Sequence, residues 1–233
     1  MEAENQPVYY SFPVFPDTSE ALSEPPGLLA SGGSVTPTWL QAAYSHGIFP
    51  WNDPDDTRLW WSPVPRAVIT PATFHVPRSV AKECRRSSLR ITTNMAFREV
   101  MLGCAGPRLH ESGTWIDNDI LQNYPRLAES GRALSVECWN TRGELAGGFY
   151  GLLIGHALFG ESMFSRESGA SKVAFATAAP VLFRLGVRMI DCQMKTGHLA
   201  RFGVCELDRR EFEALLRESV AQPPVPPLPG VLK

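Results

Sequence analysis

The sequence predicts an α+β fold: a run of strands, then a helix, a strand and a last helix, behind a smaller N-terminal part. Three observations carry this. Residues 133–159 read as consecutive strands, the first alternating Leu134, Val136 and Cys138 against Ser135 and Glu137. Small and apolar residues from Gly169 to about Leu185 then read as a helix, and residues 187–193 as a strand. Asp208 with Glu211 three residues on is a capping box for an amphipathic helix through Val220. Segregated strands and helices of this kind build an α+β domain. Finally, Trp51, Trp60 and Trp61 fall within eleven residues and are closed by Pro63 and Pro65. That marks a boundary between a small N-terminal domain, 1–65, and a larger one, 66–221, with a Pro-rich tail at 222–233.

Taken in order, residues 1–30 are rich in Pro and aromatics without a clear period. Tyr9, Tyr10, Phe12 and Phe15 suit an edge strand or an extended arm, with disorder as the alternative. Thr36-Pro37 is a helix start, a hydroxyl cap followed by Pro in the first turn. Trp39, Leu40, Ala43 and Tyr44 recur at helical spacing, and Gly47 ends the helix. The acidic turn at residues 52–56 separates Ile48-Phe-Pro-Trp51 from Leu59-Trp-Trp-Ser-Pro63. The tryptophans suit either a small aromatic core or a stacking platform for unpaired bases.

Residues 66–72 read as a strand, and Pro77 opens a helix whose Arg78, Lys82, Arg85 and Arg86 fall within about a 100° arc of one face. Four like charges repel unless an anion meets them. The face is therefore either a solvated surface or a contact for a nucleic-acid backbone. Residues 95–104 form a further helix, and 105–113 a polar loop. Trp115 and Tyr124 bracket a helix capped by Asp117 or Asn118. The turn 140–143 joins the strand at 133–139 to strands at 145–150 and 152–159. Glu161, Ser162, Ser165 and Ser168 then occupy a polar turn before the helix that Pro180 should kink or restart. Residues 198–202 make a short helical turn closed by Gly203, and the tail from Pro223 to Pro229 is extended.

With 233 residues, 44% hydrophobic and 20% charged, the chain has the composition of a soluble globular protein. A net charge of −2 confines any nucleic-acid site to a local patch. Five scattered cysteines without a CxxC pair argue against a disulfide framework or a zinc site and favour a reduced, cytoplasmic setting. The acidic start is not a signal peptide, and the apolar run near 173–183 is too short to span a bilayer. No metal, cofactor or membrane partner is expected.

Asp191 and Gln193 are two apart on the strand at 187–193, so they share a face. A carboxylate and an amide there either cap the following turn or orient an amine. His46, His75, His110, His156 and His198 show no metal-ligand spacing, and no serine–histidine–acid triad assembles. Cys192 suits a buried structural thiol better than an acyl carrier.

Gly160-Glu-Ser-Met-Phe-Ser165 followed by Ala170-Ser-Lys172 resembles the signature of leucyl/phenylalanyl-tRNA–protein transferases. The resemblance extends to Glu24-Pro-Pro-Gly-Leu-Leu29, Gly47-Ile-Phe-Pro-Trp51, Trp60-Trp-Ser-Pro63, Pro65-Arg-Ala67, Gly113-Thr-Trp-Ile116, Gly147-Gly148 and Ile190-Asp-Cys-Gln193. It covers roughly residues 12–215. It implies an acetyltransferase-like (GNAT-like) mixed-sheet domain. The implied activity transfers Leu, Phe or, less well, Met from aminoacyl-tRNA to proteins beginning with Arg or Lys, marking them for N-degron proteolysis. Motif matching makes Asp191 and Gln193 the catalytic pair. It places Phe149, Leu158, Glu161, Ala178, Leu182 and Ile190 around the aminoacyl side chain. It sets Tyr44, Trp51, Trp115 and Tyr124 around the terminal adenosine, and the basic helix on the acceptor stem. The expected protein is a monomer. Arg166-Glu-Ser-Gly-Ala-Ser171 only partly matches an acetyltransferase pyrophosphate turn, which weakens the rival reading of an acyl-CoA-dependent N-acetyltransferase. A non-catalytic tRNA-binding protein is the second rival.

Overall fold

The computed structural model describes residues 13–53, 56–106, 114–197 and 199–232. The expectations for Tyr9, Tyr10, Phe12, His110, His198 and most of the loop at 105–113 lie outside them.

The N-terminal part forms a small antiparallel sheet of β1 (Leu28–Ser31), β2 (Phe49–Pro50) and β3 (Leu59–Trp61) in the order β1-β3-β2. Helix α1 (Pro37–Ser45) follows β1 and precedes β2 along the chain, with Thr36 at the cap position and Pro37 opening the first turn. Its Leu40, Ala43 and Tyr44 are buried. Phe15, Trp39 and Trp60 pack on one another, so these aromatics make a core, while Trp51 stays 46% exposed.

The large sheet, among the described residues, has eight strands. Along the chain they are β4 (Arg66–Ile69), β5 (Arg90–Thr93), β6 (Ala133–Trp139), β7 (Leu145–Ile154), β8 (Ala157–Ser165), β9 (Met189–Asp191), β10 (Cys205–Leu207) and β11 (Val231–Leu232). Their order is β10-β4-β9-β8-β7-β6-β5-β11. Neighbours are antiparallel except β8 and β9, which run parallel and are joined by the crossover helix α5 (Ala170–Arg184). Antiparallel hairpins leading into one parallel crossover make the mixed sheet that the resemblance implied. Pro180 lies within α5 without ending it.

Helices α2 (Arg78–Arg86) and α5 pack together on the sheet, and α3 (Phe97–Ala105) and α4 (Asn118–Glu129) pack together against β6–β8. Asp117 caps α4 by accepting the Ile120 N–H at 2.9 Å. The expected capping box at Asp208 and Glu211 starts α6 (Arg209–Val220).

Three expectations change. The strand β6 is buried along nearly its whole length rather than on one face, because helices contact it as well as strands. Its Glu137 is therefore satisfied internally. It accepts from Thr92 and Ser135 hydroxyls at 2.5 Å each and from the Ala96 N–H at the start of α3. Residues 145–159 do not break at Gly151: β7 runs on to Ile154, and the hairpin turns at Gly155. The polar stretch 160–165 is not a turn either, since β8 continues through it to Ser165. The tail is extended, and it adds β11 to the sheet beside β5 while burying Val225, Leu228 and Leu232. No helix among the described residues is long and apolar enough to cross a membrane.

Candidate active site

Two parallel strands that separate create the site. Ala157, Leu158 and Phe159 of β8 pair with Met189, Ile190 and Asp191 of β9, and β9 ends there while β8 continues. Beyond the last pair lies a cavity of about 730 Å³. Ligands of sheets with parallel strands commonly sit at such carboxyl ends.

A bulge aims one side chain at this cavity. Gly151 and Tyr150 are neighbours on β7, but they pair with Gly160 and Ser162 of β8. Glu161 is thus the extra residue, opposite no partner. Bulges bend a strand and redirect a side chain in this way. Gly160 and Ser162 flank it and line the cavity as well.

The lining is mainly apolar. Of the residues expected around the aminoacyl side chain, the structure brings together Phe149, Leu158, Glu161 and Ile190. Ala178 and Leu182 are instead fully buried in the main core, because α5 presents an earlier turn to the cavity, through Ser171 and Phe175. Met163, Phe164, Phe175 and Leu199 complete the apolar wall and were missed. Alternation along β8 could have suggested Met163, had the strand been traced through the motif.

At the β9 end, Asp191 and Gln193 part company. Asp191 is 0% exposed and forms a bidentate pair with Arg66, Nε to Oδ1 at 2.9 Å and Nη2 to Oδ2 at 2.7 Å. The Arg66 guanidinium is stacked between Phe49 and Phe212, 4.9 and 4.6 Å from the ring centroids. Gln193 lies past the strand at φ 55, in a turn, so the two side chains do not share a strand face. The Gln193 N–H donates to Asp191 Oδ1 at 2.9 Å. Asp191 therefore fixes the turn that carries Gln193, while Gln193 and Met194 line the cavity. Cys192 also lines it, but burial pushes its thiol far up, so it is not a thiolate nucleophile.

Glu161 has a raised pKa, about 8 against an ordinary 4.5. Burial is the main cause, and the nearby Asp191 charge adds to it. The Tyr44 and Tyr124 hydroxyls and Arg66 oppose it. Those two tyrosines are not at the mouth. Both are 0% exposed and join hydroxyls at 3.1 Å, so neither offers a ring face to a base.

Trp51 and Trp115 do line the opening. Trp51 packs edge-on against Trp61, whose Nε1–H donates to the Trp51 carbonyl at 2.5 Å. Arg58 ties the two sides of the mouth, donating to Asn52 and pairing with Asp117 at 2.5 Å. On α2, Arg78, Lys82, Arg85 and Arg86 are all exposed, and Val80 faces inward.

The turn before α5 is not an open pyrophosphate cradle. The Ser171 N–H is taken by Ser165 Oγ at 3.0 Å, and the Glu83 carboxylate stands against Gly169. An anion already occupies the ground a coenzyme phosphate would need.

A family profile described as leucyl/phenylalanyl-tRNA protein transferase matches residues 68–217, and its N-terminal domain matches 33–64. The chain belongs to this family. A leucyl/phenylalanyl-tRNA–protein transferase of Saccharophagus degradans is 48% identical over 212 residues, 91% of this chain and 87% of that one. Another, from Nitrosospira multiformis, is 50% identical over 207 residues, 89% of each. A GCN5-related N-acetyltransferase of Sphaerobacter thermophilus is similar over 78% of this chain and 58% of its own, at 14% identity and a TM-score of 0.37. Family membership makes the chain an aminoacyltransferase. Among the described residues no cluster of His, Cys, Asp and Glu suits a metal ion.

Proposed function

We propose that this chain moves Leu, Phe and, less well, Met from aminoacyl-tRNA onto the α-amine of proteins beginning with Arg or Lys, marking them for N-degron proteolysis. The observation that carries the reading is the mainly apolar cavity where β8 and β9 separate, at about 730 Å³ large enough for a branched or aromatic side chain and lined on one side by Trp51 and Trp115. The aminoacyl side chain enters against Phe149, Leu158, Met163, Phe175 and Ile190. The terminal adenosine rests at the mouth on Trp51 and Trp115. The exposed cations of α2 meet acceptor-stem phosphates, which position the tRNA without reading its sequence.

The acceptor amine approaches beside Gln193. Its nitrogen attacks the ester carbonyl, the bond to the ribose oxygen breaks, and a peptide bond forms. The proton lost by the amine ends on the released ribose hydroxyl. Holding the amine and ester together supplies much of the rate. Asp191 acts here from behind, through the turn that presents Gln193, because both its oxygens are engaged and it has no exposed surface. A domain division at residue 65 places Trp51 on the N-terminal side of the mouth and Trp115 with the sheet that carries the cavity.

The test uses labelled Leu-tRNA and two peptides that differ only in an N-terminal Arg or Ala. Label on the Arg peptide alone supports donor and acceptor together. Transfer to neither, with tRNA bound, moves the chain to a binding protein; transfer to both removes the acceptor rule.

A further inference from the structure

Tyr44 and Tyr124 come from α1 and α4, eighty residues apart, and meet under the cavity with hydroxyls 3.1 Å apart. Both are 0% exposed. Nothing in an apolar core requires two buried hydroxyls, and burying them costs unless they find partners. One can donate to the other, which leaves a single free O–H. Glu161 is the acidic neighbour of both. Its own Oε1 is buried and has no hydrogen-bond partner among the described residues. The bulge that carries Glu161 points it at the cavity from the other side.

A buried acceptor without a partner in a mainly apolar cavity calls for a donor from the occupant. A leucyl or phenylalanyl ester has one N–H donor group, its α-amine. Resting on the reading above, we propose that Tyr44 and Tyr124 are positioning residues. Their joined hydroxyls hold the Glu161 carboxyl so that Oε1 meets the α-amino group of the bound aminoacyl ester. The cavity then selects a free α-amine as well as an apolar side chain.

The groups facing Glu161 are Tyr44 from α1, Tyr124 from α4, Asp191 from β9 and Arg66 from β4. Both tyrosines are held well above their ordinary range, mainly by burial, so they remain O–H donors throughout. Carboxyl and amine must share one proton for the contact to form. Donor preference therefore peaks where one proton is shared and falls on the alkaline side as Glu161 ionises and the amine is neutral. Hydroxyl donors favour the carboxylate, so removing one moves that alkaline limb upward.

The experiment measures binding of two hydrolysis-resistant probes, 3′-leucylamido-adenosine and its des-amino counterpart carrying 4-methylpentanoyl. They are titrated across pH into the wild-type chain and into Tyr44→Phe, Tyr124→Phe and Glu161→Gln. The wild type should prefer the amino probe by about tenfold or more, as for a hydrogen bond to a charged group. Each Phe variant should shrink that preference several-fold and shift its alkaline limb upward, with des-amino binding unchanged. Glu161→Gln should flatten the pH dependence. Equal weakening of both probes would mark the tyrosines as merely structural, and an unchanged preference would also overturn the proposal. If neither probe binds the wild type, the reading of the cavity itself fails.

Discussion

Arg66 and Asp191 lie 125 residues apart in the chain and meet as a bidentate pair with no exposed surface on either side chain. The same carboxylate accepts the Gln193 N–H. One buried ion pair thus joins β4 to β9 and sets the turn at the cavity edge.

Removing one partner leaves the other charge buried and uncompensated, which costs about 3–5 kcal/mol. Asp191→Ala and Arg66→Ala should each lose that much by urea denaturation, and transfer with it. The double replacement Arg66→Met with Asp191→Leu should recover most of the stability. If it recovers transfer as well, Asp191 has no part in presenting Gln193.

Glu161 gives stability a pH dependence of definite sign. Its folded pKa, about 8, lies above its ordinary 4.5, so the folded chain holds the proton longer. The contribution is complete below about pH 4.5, erodes between the two values and is gone above about pH 8. The urea midpoint of Glu161→Gln should vary less than that of the wild type over this window. Identical curves for the two proteins would contradict the assignment.

Arg85→Glu together with Arg86→Glu should weaken tRNA binding and lower the slope of its salt dependence, each phosphate contact contributing about 0.7–0.9. Both residues are exposed, so thermal unfolding should stay within about 0.5 kcal/mol of the wild type. A salt series with unchanged slope would remove α2 from the tRNA contact.

Trp51→Ala should cost about 1–3 kcal/mol in binding an aminoacyl-adenosine probe, the worth of one base stacked on an aromatic face. The residue is nearly half exposed and touches Trp61 only edge-on, so the fold should hold. Loss of stability without loss of probe affinity would return Trp51 to the core.

Much of this architecture was legible because local signals agreed. Alternation placed β6, an Asp cap placed α4, and Asp208 with Glu211 placed α6. What was not legible depended on distant neighbours. Gly160-Glu-Ser reads as a turn, yet it is a bulge in a continuing strand, visible only in the pairing with β7. Arg66 reads as the polar start of a strand, and its role appears only when Asp191 arrives from far along the chain. The wall of the cavity depended on which part of α5 faces it, and burial around most of α5 leaves no polar face to settle that from sequence. Tyr44 and Tyr124 carry the same ambiguity: an aromatic at helical spacing suits a mouth or a core, and the packing of α1 against α4 decides for the core.

The most direct test of the central claim is single-turnover transfer to one Arg-peptide from tRNAs charged with Leu, Phe, Met, Ala and Asp. An apolar cavity discriminates by about 1–3 kcal/mol per methylene, so Leu and Phe should lead, Met follow, Ala trail by tens-fold or more, and Asp fail. Transfer of Ala or Asp as fast as Leu would mean that the cavity between β8 and β9 does not hold the aminoacyl side chain.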